Sequence, residues 1–138
     1  MTMPERREDL KVLIVDNNRL SSMAIRAVIL GLGGITPGQI GVAKKLNEAK
    51  EMLFSQPILP PKVVILDTEF PDGFVESLLE RMRREDSPFK KTPVIVFTAN
   101  RNSSGSIHYI DQGANSYVMK PDMKGLEAKI KAILKQNG

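Results

Sequence analysis

Five polar residues stand where short apolar runs end. Asp16 and Asn17 follow Val12-Leu13-Ile14-Val15, and Asp67 follows Val63-Val64-Ile65-Leu66. Thr98 follows Val94-Ile95-Val96-Phe97, and Lys120 follows Tyr117-Val118-Met119. If the fold gathers these side chains, their types suit phosphoryl chemistry. Carboxylate and amide oxygens attract a hard divalent cation such as Mg²⁺. A cation and a lysine ammonium neutralise charge on a transferring phosphoryl group, and a threonine hydroxyl can donate to one of its oxygens. Asp67 would be the nucleophile, forming an acyl phosphate. Such a modification adds roughly two negative charges, enough to bias a two-state element.

The gathering follows from the order of the elements. Continuous β-branched runs suit strands buried on both faces, as in a parallel sheet. A weaker run, Ile40-Gly41-Val42-Ala43, fits a further strand nearer an edge. Helical patterns alternate with the runs. One apolar stripe is Leu20, Met23, Ala24, Ala27, Val28 and Leu30, stopped by Gly31, Gly33 and Gly34. A second is Leu46, Ala49, Met52 and Leu53; a third is Phe74, Leu78, Leu79 and Met82; the last is Leu126, Ile130, Ile133 and Leu134. The segment 103–112 is the weakest helix, rich in Ser and Gly, with Ile107 and Ile110 as its expected apolar anchors. Five β-α units predict an α/β fold, a doubly wound five-stranded parallel sheet of order 2-1-3-4-5 with a site at the carboxyl ends of its strands. The reading is of one domain over residues 1–138, with 1–10 a short polar lead-in.

Composition narrows the classes. The 138 residues are 41% apolar and 26% charged, as in an ordinary globule. There is no cysteine, which excludes disulfide scaffolds and Cys-ligated zinc. No apolar run reaches the ~20 residues of a membrane helix, and the start of the chain lacks an apolar signal core. A cytoplasmic protein with no membrane contact is expected. The net charge of +4 is scattered, and the Arg81–Arg84 cluster reads as a solvated helix face, so direct nucleic-acid binding is not expected. The seven methionines read as core filler.

Taken together, the motifs resemble the receiver domain of bacterial two-component response regulators, with a flavodoxin-like fold. Residues 12–18 resemble the first strand and its acidic cluster, 63–73 the strand ending in the phosphoacceptor, 94–99 the fourth strand with its switch hydroxyl, and 117–121 the fifth strand with its lysine and proline. The resemblance implies roles for particular residues. Asp67 is the phosphoacceptor, Thr98 the hydroxyl that follows the phosphoryl group, and Lys120 its cationic partner. Tyr117 is an aromatic that turns inward on activation, and Lys120-Pro121 a cis peptide bond. It also implies Mg²⁺ held by Asp16, Asn17, Asp67 and the backbone carbonyl of Glu69. Phosphoryl donation would come from a histidine kinase or phosphotransfer protein. A downstream protein partner would bind the face formed by 103–112 and 123–136, and a homodimer through that face is left open. Such a domain is not an enzyme in the ordinary sense, although it assists its own phosphoryl transfer and dephosphorylation.

Two departures stand out. Asn17 occupies a position where the family usually carries a second acidic residue, which predicts weaker Mg²⁺ binding. The loop from Thr68 to Gly73 is about two residues shorter than usual, so Glu69 is free to supply the missing charge. Blander readings stand beside these. Asp67 alone suits a turn or cap, Asn18 suits a helix N-cap, and Tyr117 alone suits packing. His108, the single histidine, is expected to be exposed and not catalytic. The alternative to a phosphorylatable switch is a phosphorylation-independent interaction module on the same fold. A flavin or nucleotide enzyme is disfavoured, because no phosphate-binding Gly or Ser/Thr loop follows Val15.

Overall fold

The computed structural model describes residues 9–100 and 105–137. Five parallel strands form the sheet: β1 (Val12–Val15), β2 (Ile40–Ala43), β3 (Val63–Leu66), β6 (Val94–Thr98) and β7 (Ser116–Met119). Between β3 and β6 lies a two-stranded antiparallel hairpin, β4 (Glu69–Phe70) and β5 (Gly73–Phe74). The helices are α1 (Arg19–Leu32), α2 (Leu46–Phe54), α3 (Val75–Met82), α4 (Gly105–Asp111) and α5 (Met123–Asn137). The sheet order is β2-β1-β3-β6-β7. Leaving the hairpin aside, this is the expected 2-1-3-4-5 order, with Ile40–Ala43 at an edge.

The strand pleat sorts the core into two layers. Leu13, Val15, Val64, Leu66, Val94 and Val96 face α2 and α3, meeting Leu46, Met52, Val75, Leu79 and Phe89. Val12, Ile14, Val63, Ile65, Ile95 and Phe97 face α1 and α5, meeting Ile25, Ile29, Leu126 and Ile130. Both faces of β1, β3 and β6 are thus covered, which is why their sequences run apolar without alternation. Each such side chain contributes roughly 1.5–3 kcal/mol by burial. At the β2 edge, a Cβ on Gly41 would lie 2.6 Å from Met52 Cε and 2.8 Å from Leu10 Cδ1, so a side chain there would require those two side-chain ends to shift.

Register fixes the site. Val15 pairs with both Ala43 and Leu66, and Thr98 pairs with Met119. The next residues continue the ladder: Asp16 N–H donates to Ala43 O, Asp67 N–H to Val15 O, and Lys120 N–H to Thr98 O. Residues 16, 67, 98 and 120 therefore converge at one end of the sheet.

Several expected helix faces are corrected. The inner face of α1 is Ser22, Ile25 and Ile29, whereas Leu20 is 78% and Met23 55% exposed. The phase is set by the Asn18 cap, whose Oδ1 accepts Ser21 N–H, and Ser22 is tolerated inside because its hydroxyl donates to Arg19 O. α1 also runs through Gly31 to Leu32. In α3 the inner position belongs to Val75; Phe74 is the N-cap residue and is exposed. In α4 the buried residues are Gly105 and Tyr109, while Ile107 and Ile110 point outward. A small residue is needed there, since a Cβ at 105 would lie 3.1 Å from Tyr117 Oη. Met52 and Met82 are core filler, but Met23 and Met119 are exposed. Residues 1–8 of the expected 1–10 lead-in and the first residues of the expected 103–112 helix lie outside the described residues; the end of that lead-in is corrected, since Leu10 is buried in the core.

Arg83 also departs from the solvated-face reading. Its guanidinium donates to Gly113 O, Phe89 O, Lys90 O and Asn115 Oδ1, tying the end of α3 to the turn before β7. Gly113 is required at that turn: its φ is +117°, and a Cβ would meet Arg83 Cγ at 2.8 Å. Among the described residues, no helix is long and apolar enough to cross a membrane.

Candidate functional site

The centre of the site is an ion-paired triad. Lys120 Nζ donates to Asp16 Oδ2 at 2.9 Å and to Asp67 Oδ2 at 3.0 Å. Asp16 is almost fully buried and held by two further donors, with Oδ1 accepting Asn18 N–H and Oδ2 accepting the Ser21 hydroxyl. On Asp67, Oδ1 accepts Thr68 N–H at 2.7 Å. An open cleft of about 390 Å³ lies over Asp67 and Lys120, lined also by Asn17, Asn18, Ser21, Glu69 and Ala99.

Electrostatics sets the charge states. Burial pushes the Asp67 carboxyl above its ordinary range and the Asp16 charge adds to this, while Thr68 N–H and Lys120 act in the opposite direction. Burial alone would lower the Lys120 pKa, but hydrogen bonds and charge from Asp16 and Asp67 outweigh it and the net shift is upward. The ammonium is therefore kept charged beside the carboxylate it must steady.

The residues expected to act as the switch form a connected chain beside the cleft. Thr98, fully buried, places its Oγ1 2.7 Å from Thr68 Oγ1 and accepts Asn100 N–H at 3.1 Å. Tyr117 donates its hydroxyl to Asn100 O at 2.9 Å, and its ring stacks on that of Tyr109 with centroids 6.3 Å apart. Lys120-Pro121 is cis.

The short loop after Asp67 is an ordered hairpin. Asp72 reaches across to α2 and accepts Leu46 N–H at 3.0 Å and Asn47 N–H at 2.9 Å, capping that helix from another segment. Burial tends to raise the Asp72 pKa, but these N–H bonds win and hold it below the usual range. The hairpin carries Glu69, which lines the cleft.

Of the residues expected at the site, Asn17, Asp67, Glu69 and Lys120 line one cleft. Asp16 supports it from behind through Lys120, and Thr98 and Tyr117 lie in the adjoining hydrogen-bond chain. His108 stays outside, 46% exposed and paired with Glu76. Sequence reasoning missed Ser21, Thr68, Asn100 and Asp72. Only Pro71-Asp72 carried a signal, as residue types favoured in turns; they form the two-residue turn between the paired Phe70 and Gly73, and Gly73 takes φ +148°. The cleft-facing donors are hard oxygens, which fit Mg²⁺. No cluster of three or more His, Asp and Glu suited to a metal occurs among the described residues, so the set is poor in charge.

Fold and site together define a doubly wound α/β domain with a carboxylate–lysine cleft at its strand ends. A family model described as the response regulator receiver domain matches residues 12–131. The uncharacterized transcriptional regulatory protein YkoG of Bacillus subtilis is 40% identical over 77 residues, covering 55% of this chain and 32% of that protein. The transcriptional regulatory protein PhoP of Escherichia coli is 28% identical over 129 residues, covering 93% of this chain and 53% of that protein. The chain thus spans about a third to a half of the length of these curated relatives. A two-component response regulator from Legionella pneumophila has the same fold, with a TM-score of 0.76 at 23% identity, covering 92% of this chain and 98% of that one. The chain belongs to the response regulator receiver domain family of two-component systems.

Proposed function

We propose that this chain is a phosphorylatable switch that receives a phosphoryl group on Asp67 from a histidine kinase or phosphotransfer protein. The observation that carries the reading is Lys120 bonded at once to Asp16 and Asp67 beneath an open cleft. One Asp67 carboxylate oxygen attacks phosphorus; the bond from phosphorus to the donor's imidazole nitrogen breaks, and its electron pair returns to the imidazole. Thr68 N–H holds the other oxygen and fixes the carboxylate plane. Lys120, anchored by Asp16, meets the charge arriving on the phosphoryl oxygens. Asp67, Asn17 and the Glu69 carbonyl are the residues that would hold Mg²⁺, which when bound supplies further positive charge at the phosphoryl group.

Output would pass through Thr98, Asn100 and Tyr117 to α4 and α5. Exposed Ile107, Ile110 and Met119 offer apolar contact for a downstream protein or a second copy. The test is intact-mass analysis after incubation with acetyl phosphate and Mg²⁺. The wild type should gain one phosphoryl group and Asp67→Asn none; labelling that survives the substitution would mean another nucleophile. A second reading, a phosphorylation-independent interaction module, is favoured by the uncharged Asn17 at the cleft and by the buried Asp16, whose Oδ2 already takes both Ser21 and Lys120. An absence of saturable Mg²⁺ binding would support it.

A further inference from the structure

The hydroxyl expected to close on a phosphoryl group is engaged elsewhere. Thr98 is fully buried and is not among the residues lining the cleft. A hydroxyl has one proton and two lone pairs. Asn100 N–H takes one lone pair of Thr98 Oγ1, and Thr68 Oγ1 lies 2.7 Å away. An unpaired buried donor is costly. Burial therefore favours Thr98 donating to Thr68, which leaves no orphan proton on the buried group. Thr68 is only half-buried, so its own hydroxyl proton is less costly to leave without a protein acceptor.

Thr68 is also fixed to the reacting group, since its N–H donates to Asp67 Oδ1 at 2.7 Å. The residue beside the nucleophile thus holds the proton that a phosphoryl oxygen would need. Turning Thr98 toward Asp67 requires breaking the Thr68 bond. The same turn would disturb Asn100, whose N–H is bonded to Thr98 and whose carbonyl accepts from Tyr117.

Resting on the phosphoacceptor reading of Asp67, we propose that Thr68 is a positioning residue that latches Thr98 in its resting orientation, so that charging Asp67 must break the Thr68–Thr98 hydrogen bond. Valine at 68 keeps the branched shape and removes the latch.

The test is an amide NMR titration with beryllofluoride at saturating Mg²⁺, on wild type, Thr68→Val, Thr68→Ala and Thr68→Ser. Beryllofluoride mimics a phosphoryl group on aspartate. Both variants lacking the hydroxyl should bind it about fivefold tighter, the equivalent of one net hydrogen bond. Before any addition, their Asn100 and Tyr117 peaks should lie displaced toward the saturated positions. Thr68→Ser should stay within about twofold of wild type, because it keeps the donor and acceptor. Unchanged or weaker binding by Thr68→Val and Thr68→Ala, with a responsive wild type, overturns the latch alone. A wild type that does not respond at all overturns the phosphoacceptor reading and the latch with it.

Discussion

The loops after β1 and β3 begin alike and end differently. Each opens with an aspartate at the same level of the sheet, and both carboxylates bond the same Lys120 nitrogen. Asp16 is also held by Asn18 N–H and the Ser21 hydroxyl, so each of its oxygens is tied to the start of α1. Asp67 has only Thr68 N–H besides the lysine, and it borders the cleft. Burial and the Asp16 charge push its carboxyl up in pKa. One aspartate is held as an anchor, and the other, the proposed nucleophile, takes a single donor on each oxygen. What separates them is the number of donors each loop supplies.

Amide substitution should break this comparison most sharply. Asp67→Asn is expected to abolish labelling by acetyl phosphate. Asp16→Asn leaves one acceptor oxygen where Asn18 N–H, the Ser21 hydroxyl and Lys120 now share two, and should slow labelling by about 10–100-fold without abolishing it, as supporting residues around such sites typically do. Equal loss in both would erase the distinction between anchor and nucleophile.

Lys120→Met comes next. It leaves two buried carboxylates without their cation and should cost about 3 kcal/mol at neutral pH. The raised lysine pKa fixes one sign: the stability it contributes is fully present below its ordinary value of 10.5 and is lost as pH rises through the folded value. At the acid end the deficit should also shrink, as Asp67, whose carboxyl burial pushes up in pKa, protonates. Urea unfolding at several pH values would check both limbs.

Asn17→Asp adds to the first loop the charge it lacks, and should tighten Mg²⁺ binding on the order of tenfold, read by NMR or calorimetry. The smallest effect belongs to Asp72→Ala. It removes the cap from α2 and should cost about 1 kcal/mol. Because the folded pKa of Asp72 is depressed, that contribution is present above its ordinary 3.8 and is lost as pH falls through the folded value. A difference in melting temperature that vanishes in acid would confirm it.

Strand order and the gathering of Asp67, Thr98 and Lys120 were legible because apolar runs followed by single polar residues are a local pattern that parallel topology turns into a site. Helix phase was less legible. Leu20 and Met23 read as core by spacing, yet the Asn18 cap rotates α1 so that Ile25 and Ile29 face the sheet. Arg83 read as a solvated charge and Asp72 went unnoticed because their partners, Gly113 O and the Leu46 and Asn47 N–H groups, are about 25–30 residues away and are backbone atoms. Sequence patterns carry side-chain chemistry, and they are silent on which distant carbonyl or amide will need a partner.

The Arg83 clamp has a mechanical consequence. Just beyond α4, Gly113 is bolted to α3, Ala114 N–H donates to Tyr109 O, and Asn115 N–H donates to Val94 O. One end of α4 is therefore pinned to the sheet and to a neighbouring helix. Displacement of such an element is a swing about the pinned end, on a lever of about 10 Å for seven residues at 1.5 Å each. Ser106 and Ile107, at the far end of that lever, travel the greatest distance for a given angle, while Gly113 hardly moves.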